Sequence, residues 1–275
     1  MQHRSTLRIY GKLSSMDPPP RKRKNINEFF VPVTKRTKIQ KPVKPDEPVQ
    51  GLISNEVVQC HEIQATPVPG LTLHNNFITP SEEQTILAFL NDPSKCEWRT
   101  DLSRRTMHFG GTYCLMPPNA SSQPAKPQIL QAPPMPPEFA LLIQRMVDTH
   151  IFPNNARPQY CIVNEYTGNL GISAHTENFQ FGEPVVGLSL LSPCPIRFHE
   201  LTRPFDGSVR SGKAGKAEKT GRREDVRMLG RSLLVMRGES RWKWQHEIVR
   251  SGKGREVKWK RVSLTFRYKP DGGKV

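Results

Sequence analysis

Apolar and polar positions along the chain change texture twice. Up to residue 65 apolar positions are sparse and follow no helical or strand period. Between there and residue 149 two helical patterns stand out. In ITPSEEQTILAFL, residues 78–90, Thr79 has N-cap chemistry, Pro80 suits the first helical position and Glu82 completes a capping box. Ile86, Leu87 and Leu90 give this helix an apolar side. A second helix is predicted over 137–149, where Phe139, Leu142, Ile143, Met146 and Val147 recur at helical spacing. Strands are predicted around 106–115. Residues 117–137 hold eight prolines in 21 positions, so no regular structure is expected there.

After residue 158 the texture changes to short β-type runs. QYCIVNEY, PVVGLSLLS, PIRFHEL, RSLLVMRG and RVSLTFRYK follow one another as strand-length runs separated by Gly, Pro and charged turns. Residues 203–227 are rich in Gly and Lys without apolar periodicity, and read as a mobile basic loop between two strands. The expectation is an α+β chain, mainly β, with an antiparallel double sheet over 66–275 and a disordered arm over 1–65.

Charge changes the picture of what this sheet faces. The 275 residues carry 41 Lys and Arg against 25 Asp and Glu, a formal net charge of +16. Such a field favours polyanions, nucleic acid foremost. Residues 1–50 hold 12 Lys and Arg against 4 Asp and Glu. Within this arm RKRK, 21–24, has the composition of a nuclear-import patch, so a nuclear protein, with cytoplasm as the second location, is expected. Ile26, Phe29 and Phe30 follow at one-turn spacing and resemble the anchors of a sliding-clamp-binding box, with Arg23 where that box usually has Gln. Met16, inside SSMDPPP, is an alternative start. The five Cys show no C-x-x-C pair and read as reduced thiols. No apolar run reaches the roughly 18 residues of a membrane span, and the N-terminus lacks the apolar stretch of a secretory signal. A monomer without a membrane partner is expected.

Polar residues on the predicted strands carry the candidate chemistry. In NEYTGNLGISAHTE, 164–177, His175 and Glu177 lie two apart and share a strand face. A further His from another strand would complete a two-His, one-carboxylate facial site, and His246 in GESRWKWQHEI offers one. On the last strand Arg261 and Arg267 are six apart, hence on one face. A guanidinium turned into a barrel needs an anionic partner, and two suit a dicarboxylate such as 2-oxoglutarate, unless both pair with structural Asp or Glu.

Taken together, CIVNEYTGNLGISAHTE, VVGLSLLS, RSLLVMRGESRWKWQHEI and RVSLTFR resemble the core of the AlkB family of Fe(II)/2-oxoglutarate dioxygenases. The family's N-x-Y, its H-x-D nine residues after the Tyr, its distal His and its R-x5-R are matched by Asn164 and Tyr166, His175, His246, and Arg261 with Arg267. SRRTMHFGGTYC, 103–114, resembles the family's R-x-x-x-F-G-x-x-Y segment. The likeness spans roughly 70–270. It implies a double-stranded β-helix, or jelly roll, with N-terminal supporting helices. It implies Fe(II) held by His175, Glu177 and His246, and 2-oxoglutarate held by Asn164, Tyr166, Arg261 and Arg267. The implied reaction is oxidative demethylation of alkylated nucleic-acid bases with loss of formaldehyde.

The family carboxylate is normally Asp, and Glu177 stands in its place. That departure keeps open a noncatalytic nucleic-acid-binding relative. For a catalyst, DNA repair is the first expectation, favoured by the import patch and clamp-like box, and RNA or tRNA modification the alternative. A flipped base would need stacking partners, for which Phe109, Tyr113, Trp242 and Trp244 are candidates.

Overall fold

A computed structural model describes residues 62–114, 128–205, 217–250 and 258–270. The RKRK patch and the residues Ile26, Phe29 and Phe30 lie outside the described residues. In chain order the elements are β1 (Glu62–Ala65), β2 (Leu71–Asn75), α1 (Pro80–Asn91), β3 (Arg105–Phe109), β4 (Thr112–Cys114), β5 (Gln128–Leu130) and α2 (Ala140–Asp148). There follow β6 (Tyr160–Thr167), β7 (Ile172–His175), β8 (Val185–Leu191), β9 (Cys194–Leu201), β10 (Lys219–Met228), β11 (Ser232–Met236), α3 (Gly238–Trp242), β12 (Trp244–Ile248) and β13 (Lys260–Arg267).

The local signals explain where the helices begin. The backbone N–H of Glu82 donates to the Thr79 hydroxyl at 3.2 Å, and the Thr79 N–H donates to the Glu82 carboxylate at 2.8 Å. The same carboxylate is gripped by Arg145 of α2, at 2.5 and 2.9 Å. Burial would raise the Glu82 pKa, but Arg145 and the Thr79 hydrogen bonds outweigh it and hold the carboxyl low. The capping box therefore doubles as the tie between the two helices. The predicted second helix opens with a 3₁₀ turn over Pro137–Phe139 before α2.

The strands form a seven-stranded sheet, in the order β1-β2-β11-β8-β13-β6-β3, and a four-stranded sheet, in the order β10-β9-β12-β7. All recorded pairings are antiparallel. This is the double-stranded β-helix. Strict alternation along the large sheet divides the core in two. Val262, Leu264 and Phe266 of β13, Val186, Leu188 and Leu190 of β8, and Leu233 and Val235 of β11 join Ile86, Leu90, Leu142 and Met146 in a core on the helix side. Leu71, Leu73, Leu234 and Met236 face the other way and cluster with Ile196, Phe198, Met228, Trp244 and Ile248 of the small sheet. Burying each such side chain contributes about 1.5–3 kcal/mol before conformational entropy is counted.

Two expectations are corrected. The predicted loop 203–227 overlaps the ten-residue edge strand β10, Lys219–Met228, which pairs with β9 from Lys219↔Leu201 to Met228↔Cys194. Its inward residues Val226 and Met228 are buried while most of the strand is exposed and charged. An outer strand carrying charge resists further pairing, so its sequence lacks the apolar alternation of a central strand. The Pro-rich segment likewise contains the short β5, which pairs with β4.

Candidate active site

The alternation that sends Leu264 toward the helices sends Arg261, Ser263, Thr265 and Arg267 the other way. With Asn164 and Tyr166 of β6, they line one wall of a cavity of about 650 Å³. The opposite wall comes from the small sheet, where β12 pairs with β7 and sets His246 directly across from His175. Their ring centroids are 4.4 Å apart. Glu177 lies just beyond the end of β7, with its Oε1 3.6 Å from His246 Nε2. His175, Glu177 and His246 thus bring three donor atoms within 4.8 Å of one another.

The electrostatics suit a divalent metal. His175 Nδ1 lies 2.9 Å from the Ser173 carbonyl oxygen, which only accepts, so Nδ1 carries the proton and Nε2 keeps its lone pair. Burial, reinforced by the neighbouring His246, lowers the His175 pKa to about 4. The imidazole is therefore neutral at neutral pH, as a metal ligand must be. Burial would raise the Glu177 pKa, but Arg267 and the two imidazoles hold it well below the usual carboxylate range. The neutral His175 imidazole, the His246 imidazole beside it and one ionised carboxylate oxygen, all on one side of a cavity, fit Fe(II).

Arg267 deals with the longer Glu side chain. Its Nε and Nη2 reach Glu177 Oε2 at 2.7 and 2.6 Å. One carboxylate oxygen is thereby anchored on the large sheet, and the other faces His246. The resemblance implies a 2-oxoglutarate role for Arg267; in this structure its guanidinium pairs with the metal-site carboxylate, while Nη1 is buried without a hydrogen bond.

The remaining dicarboxylate candidates sit together. Arg261 is 4% exposed. Its Nε donates to the Ser189 hydroxyl at 2.9 Å, and its guanidinium lies 5.6 Å from the centre of the Tyr166 ring. Burial raises the Tyr166 pKa, so the phenol stays a neutral donor. The Asn164 side-chain oxygen accepts from Arg104 Nε at 2.8 Å. These residues fit a dicarboxylate: cations and neutral donors share one wall, with Arg261 buried in it.

Sequence reasoning missed Arg104, Ser189 and Arg241. Arg104 lies next to the better-marked Arg105, which points to the other face and pairs with Glu165 at 2.8 Å. The pairing of Thr106 with Asn164 was the register signal that would have assigned the two arginines. Arg241 lies inside the GESR run, but its partners come from a distant loop.

The stacking candidates fare differently. Phe109 does not reach the cavity. It shares the parity of Met107 and is buried on the helix side, 5.7 Å from Phe139 between ring centres. Trp244 is wholly buried in the core between the sheets, with Arg222 over its ring at 5.3 Å. Both large rings are explained by packing. Trp242 is also absent from the cavity wall. Its ring lies against the Arg241 guanidinium at 4.0 Å, and its indole N–H donates to Glu183 at 3.0 Å. The Tyr113 side chain lies outside the described residues. The cavity wall instead includes Leu102, Phe205 and Arg250.

Comparison with known proteins agrees with this geometry. The family model described as the 2OG-Fe(II) oxygenase superfamily matches residues 70–267. An Arabidopsis thaliana protein named "Alkylated DNA repair protein ALKBH8 homolog" is 28% identical over 192 residues, covering 66% of this chain and 51% of that protein. The Arabidopsis thaliana "RNA demethylase ALKBH9B" is 28% identical over 171 residues, covering 62% of this chain and 31% of its own length. A Xenopus tropicalis "tRNA (carboxymethyluridine(34)-5-O)-methyltransferase alkbh8" is 26% identical over 209 residues, covering 74% and 29%. The chain spans about half the length of the first of these relatives and less of the others. Among solved structures, OsALKBH1 is 17% identical and aligns over 75% of this chain and 100% of its own, with a TM-score of 0.48.

Proposed function

Because the chain belongs to the 2OG-Fe(II) oxygenase superfamily, as an AlkB-like dioxygenase using Fe(II) and 2-oxoglutarate, we propose that it demethylates alkylated bases of nucleic acid. The observation that carries this reading is the cavity itself. It places His175, Glu177 and His246 opposite Asn164, Tyr166 and Arg261, in a chain of net charge +16.

Each residue has a stated task. His175 Nε2, His246 and Glu177 Oε1 would hold Fe(II). Arg261, supported by Ser189, would take one carboxylate of 2-oxoglutarate, with Tyr166 and Asn164 beside it. Bound together, iron and 2-oxoglutarate supply oxidising power from O2, coupled to loss of CO2 and formation of succinate. The protein keeps His175 neutral and Glu177 ionised. Leu102, Arg104, Phe205 and Arg250 also line the cavity, where they would meet nucleic acid around the N-methyl group. The two arginines suit the phosphates flanking a flipped base.

DNA repair in the nucleus is the first form of the proposal, supported by the RKRK run, the clamp-like Ile26, Phe29 and Phe30, and the name of one relative. Sliding-clamp binding by these three residues and a monomeric state belong to the same proposal. RNA is the second form, supported by the names of the other two relatives. Formaldehyde release from methylated single-stranded DNA and methylated RNA, measured side by side at one salt concentration, tests it. The proposal expects release from DNA exceeding that from RNA. The reverse order selects the RNA form, and release from neither overturns nucleic acid as substrate.

A further inference from the structure

Arg241 is 1% exposed. A guanidinium so deeply enclosed requires a dense set of acceptors. It finds them on one short segment. Nη1 donates to the Glu177 carbonyl at 3.0 Å, and Nη2 donates to the carbonyls of Asn178 at 2.6 Å and Phe181 at 2.7 Å. The Gly182 carbonyl lies at 3.5 Å from Nε. The face of the guanidinium is covered by Trp242.

Helix α3, which carries Arg241, is itself pinned on two sides. Glu183 accepts from the Gly238 N–H at 2.7 Å and from the Trp242 indole at 3.0 Å. On the far side the Ser240 hydroxyl donates to the Gly70 carbonyl at 3.0 Å. Gly70 has φ +79, and a Cβ there would meet the Arg237 carbonyl oxygen at 2.1 Å, so only glycine lets the two backbones approach. The chain then runs four residues past Trp242 to His246. One stretch therefore supplies one metal-site residue and holds the backbone of another.

We propose that Arg241 is a positioning residue for the metal site. By fixing the carbonyls of 177, 178 and 181 it sets where the Glu177 side chain is rooted, and Arg267 then orients its far end. The clamp suits a Glu in a place where a shorter carboxylate is usual, because a longer arm needs a fixed base to present one oxygen reproducibly. This inference rests on Glu177 being an iron ligand.

The test uses the full chain and Mn(II) as a redox-silent probe, with affinity read by the loss of free-ion EPR signal. Lys keeps the charge of Arg241 but cannot fork across the carbonyls. Arg241→Lys is expected to weaken Mn(II) binding about 10–100-fold. Near-UV circular dichroism should stay native, and the visible ligand-field bands of the Co(II)-loaded variant should shift, as a packing defect elsewhere would not make them do. Affinity within twofold of wild type in a folded Arg241→Lys overturns the clamp. Should that variant fail to fold, Glu183→Ala decides, because it loosens α3 from the surface: several-fold weaker Mn(II) supports the clamp and unchanged Mn(II) overturns it. His175→Ala and Glu177→Ala separate the two claims. Wild-type Mn(II) affinity in both would overturn the ligand assignment itself, and the clamp with it.

Discussion

The two faces of the seven-stranded sheet are made from the same strands and obey different rules. On the helix side β13 presents Val262, Leu264 and Phe266 to an apolar cluster packed under the helices. One residue along, Arg261, Ser263, Thr265 and Arg267 line the cavity. Glu165, on the helix-side parity of β6, pairs at the sheet's margin with Arg105 and Lys260, both at 2.8 Å. Asn164 beside it bonds Arg104 at 2.8 Å within the cavity wall. The helix side holds the sheet together, and the cavity side uses that rigidity to hold polar groups where a flexible chain would let them relax onto each other. The arrangement predicts that the faces can be damaged separately.

The largest effect is expected on the helix side. Leu264→Ala should destabilise the protein by roughly 2–5 kcal/mol, seen as a lower melting temperature or denaturation midpoint. The 2-oxoglutarate KM of the folded fraction should hardly move, and a large KM change would break the separation. Next comes Arg261→Ala on the cavity side. Loss of its charge should raise the 2-oxoglutarate KM about 10²-fold with little change in melting temperature. A normal KM would remove Arg261 from the dicarboxylate site.

A smaller effect comes from pH. His175 and His108 both have pKa values lowered to about 4, chiefly by burial, against 6.5 for the free side chain. Between about pH 4 and 6.5 the unfolded chain binds more protons than the folded one, so stability rises with pH across that window. It is fully present above about 6.5 and declines as pH falls. Glu177 acts in the same direction below its ordinary pKa of 4.5. Metal-free protein should melt lower at pH 5 than at pH 7.5, by on the order of 5 °C. A flat profile would mean that neither imidazole is enclosed as described. The smallest effect is Glu177→Asp. It shortens the arm but restores the usual carboxylate, and turnover should stay within about tenfold of wild type, the charge and ligand type being retained. Complete loss would show a site built around the longer side chain.

How much of this was legible in the sequence depended on whether the signal was local. Thr79, Pro80 and Glu82 announce α1 within four residues. Short β-type runs between Gly, Pro and charged turns announce β6, β8 and β11, and the six-residue spacing of Arg261 and Arg267 announces their common face. Electrostatics across the fold was not legible. The bond of Arg267 to Glu177 spans 90 residues and has no local signal. Arg241 binds carbonyls, which carry no sequence signature at all. Phe109 falls on the helix-side parity of β3, and Trp244, although on the same face of β12 as His246, is buried in the core between the sheets. The charged edge strand β10 read as a loop for the same reason that it stays soluble at an edge: its outward positions hide the buried Val226 and Met228.

The measurement closest to the central claim is succinate formation by the purified full chain with Fe(II), 2-oxoglutarate and O2, with and without methylated single-stranded DNA or RNA. A catalytic site made by His175, Glu177 and His246 predicts succinate that rises with the methylated substrate and vanishes in His175→Ala. Undiminished succinate in His175→Ala, or none from wild type under any of these conditions, would contradict it.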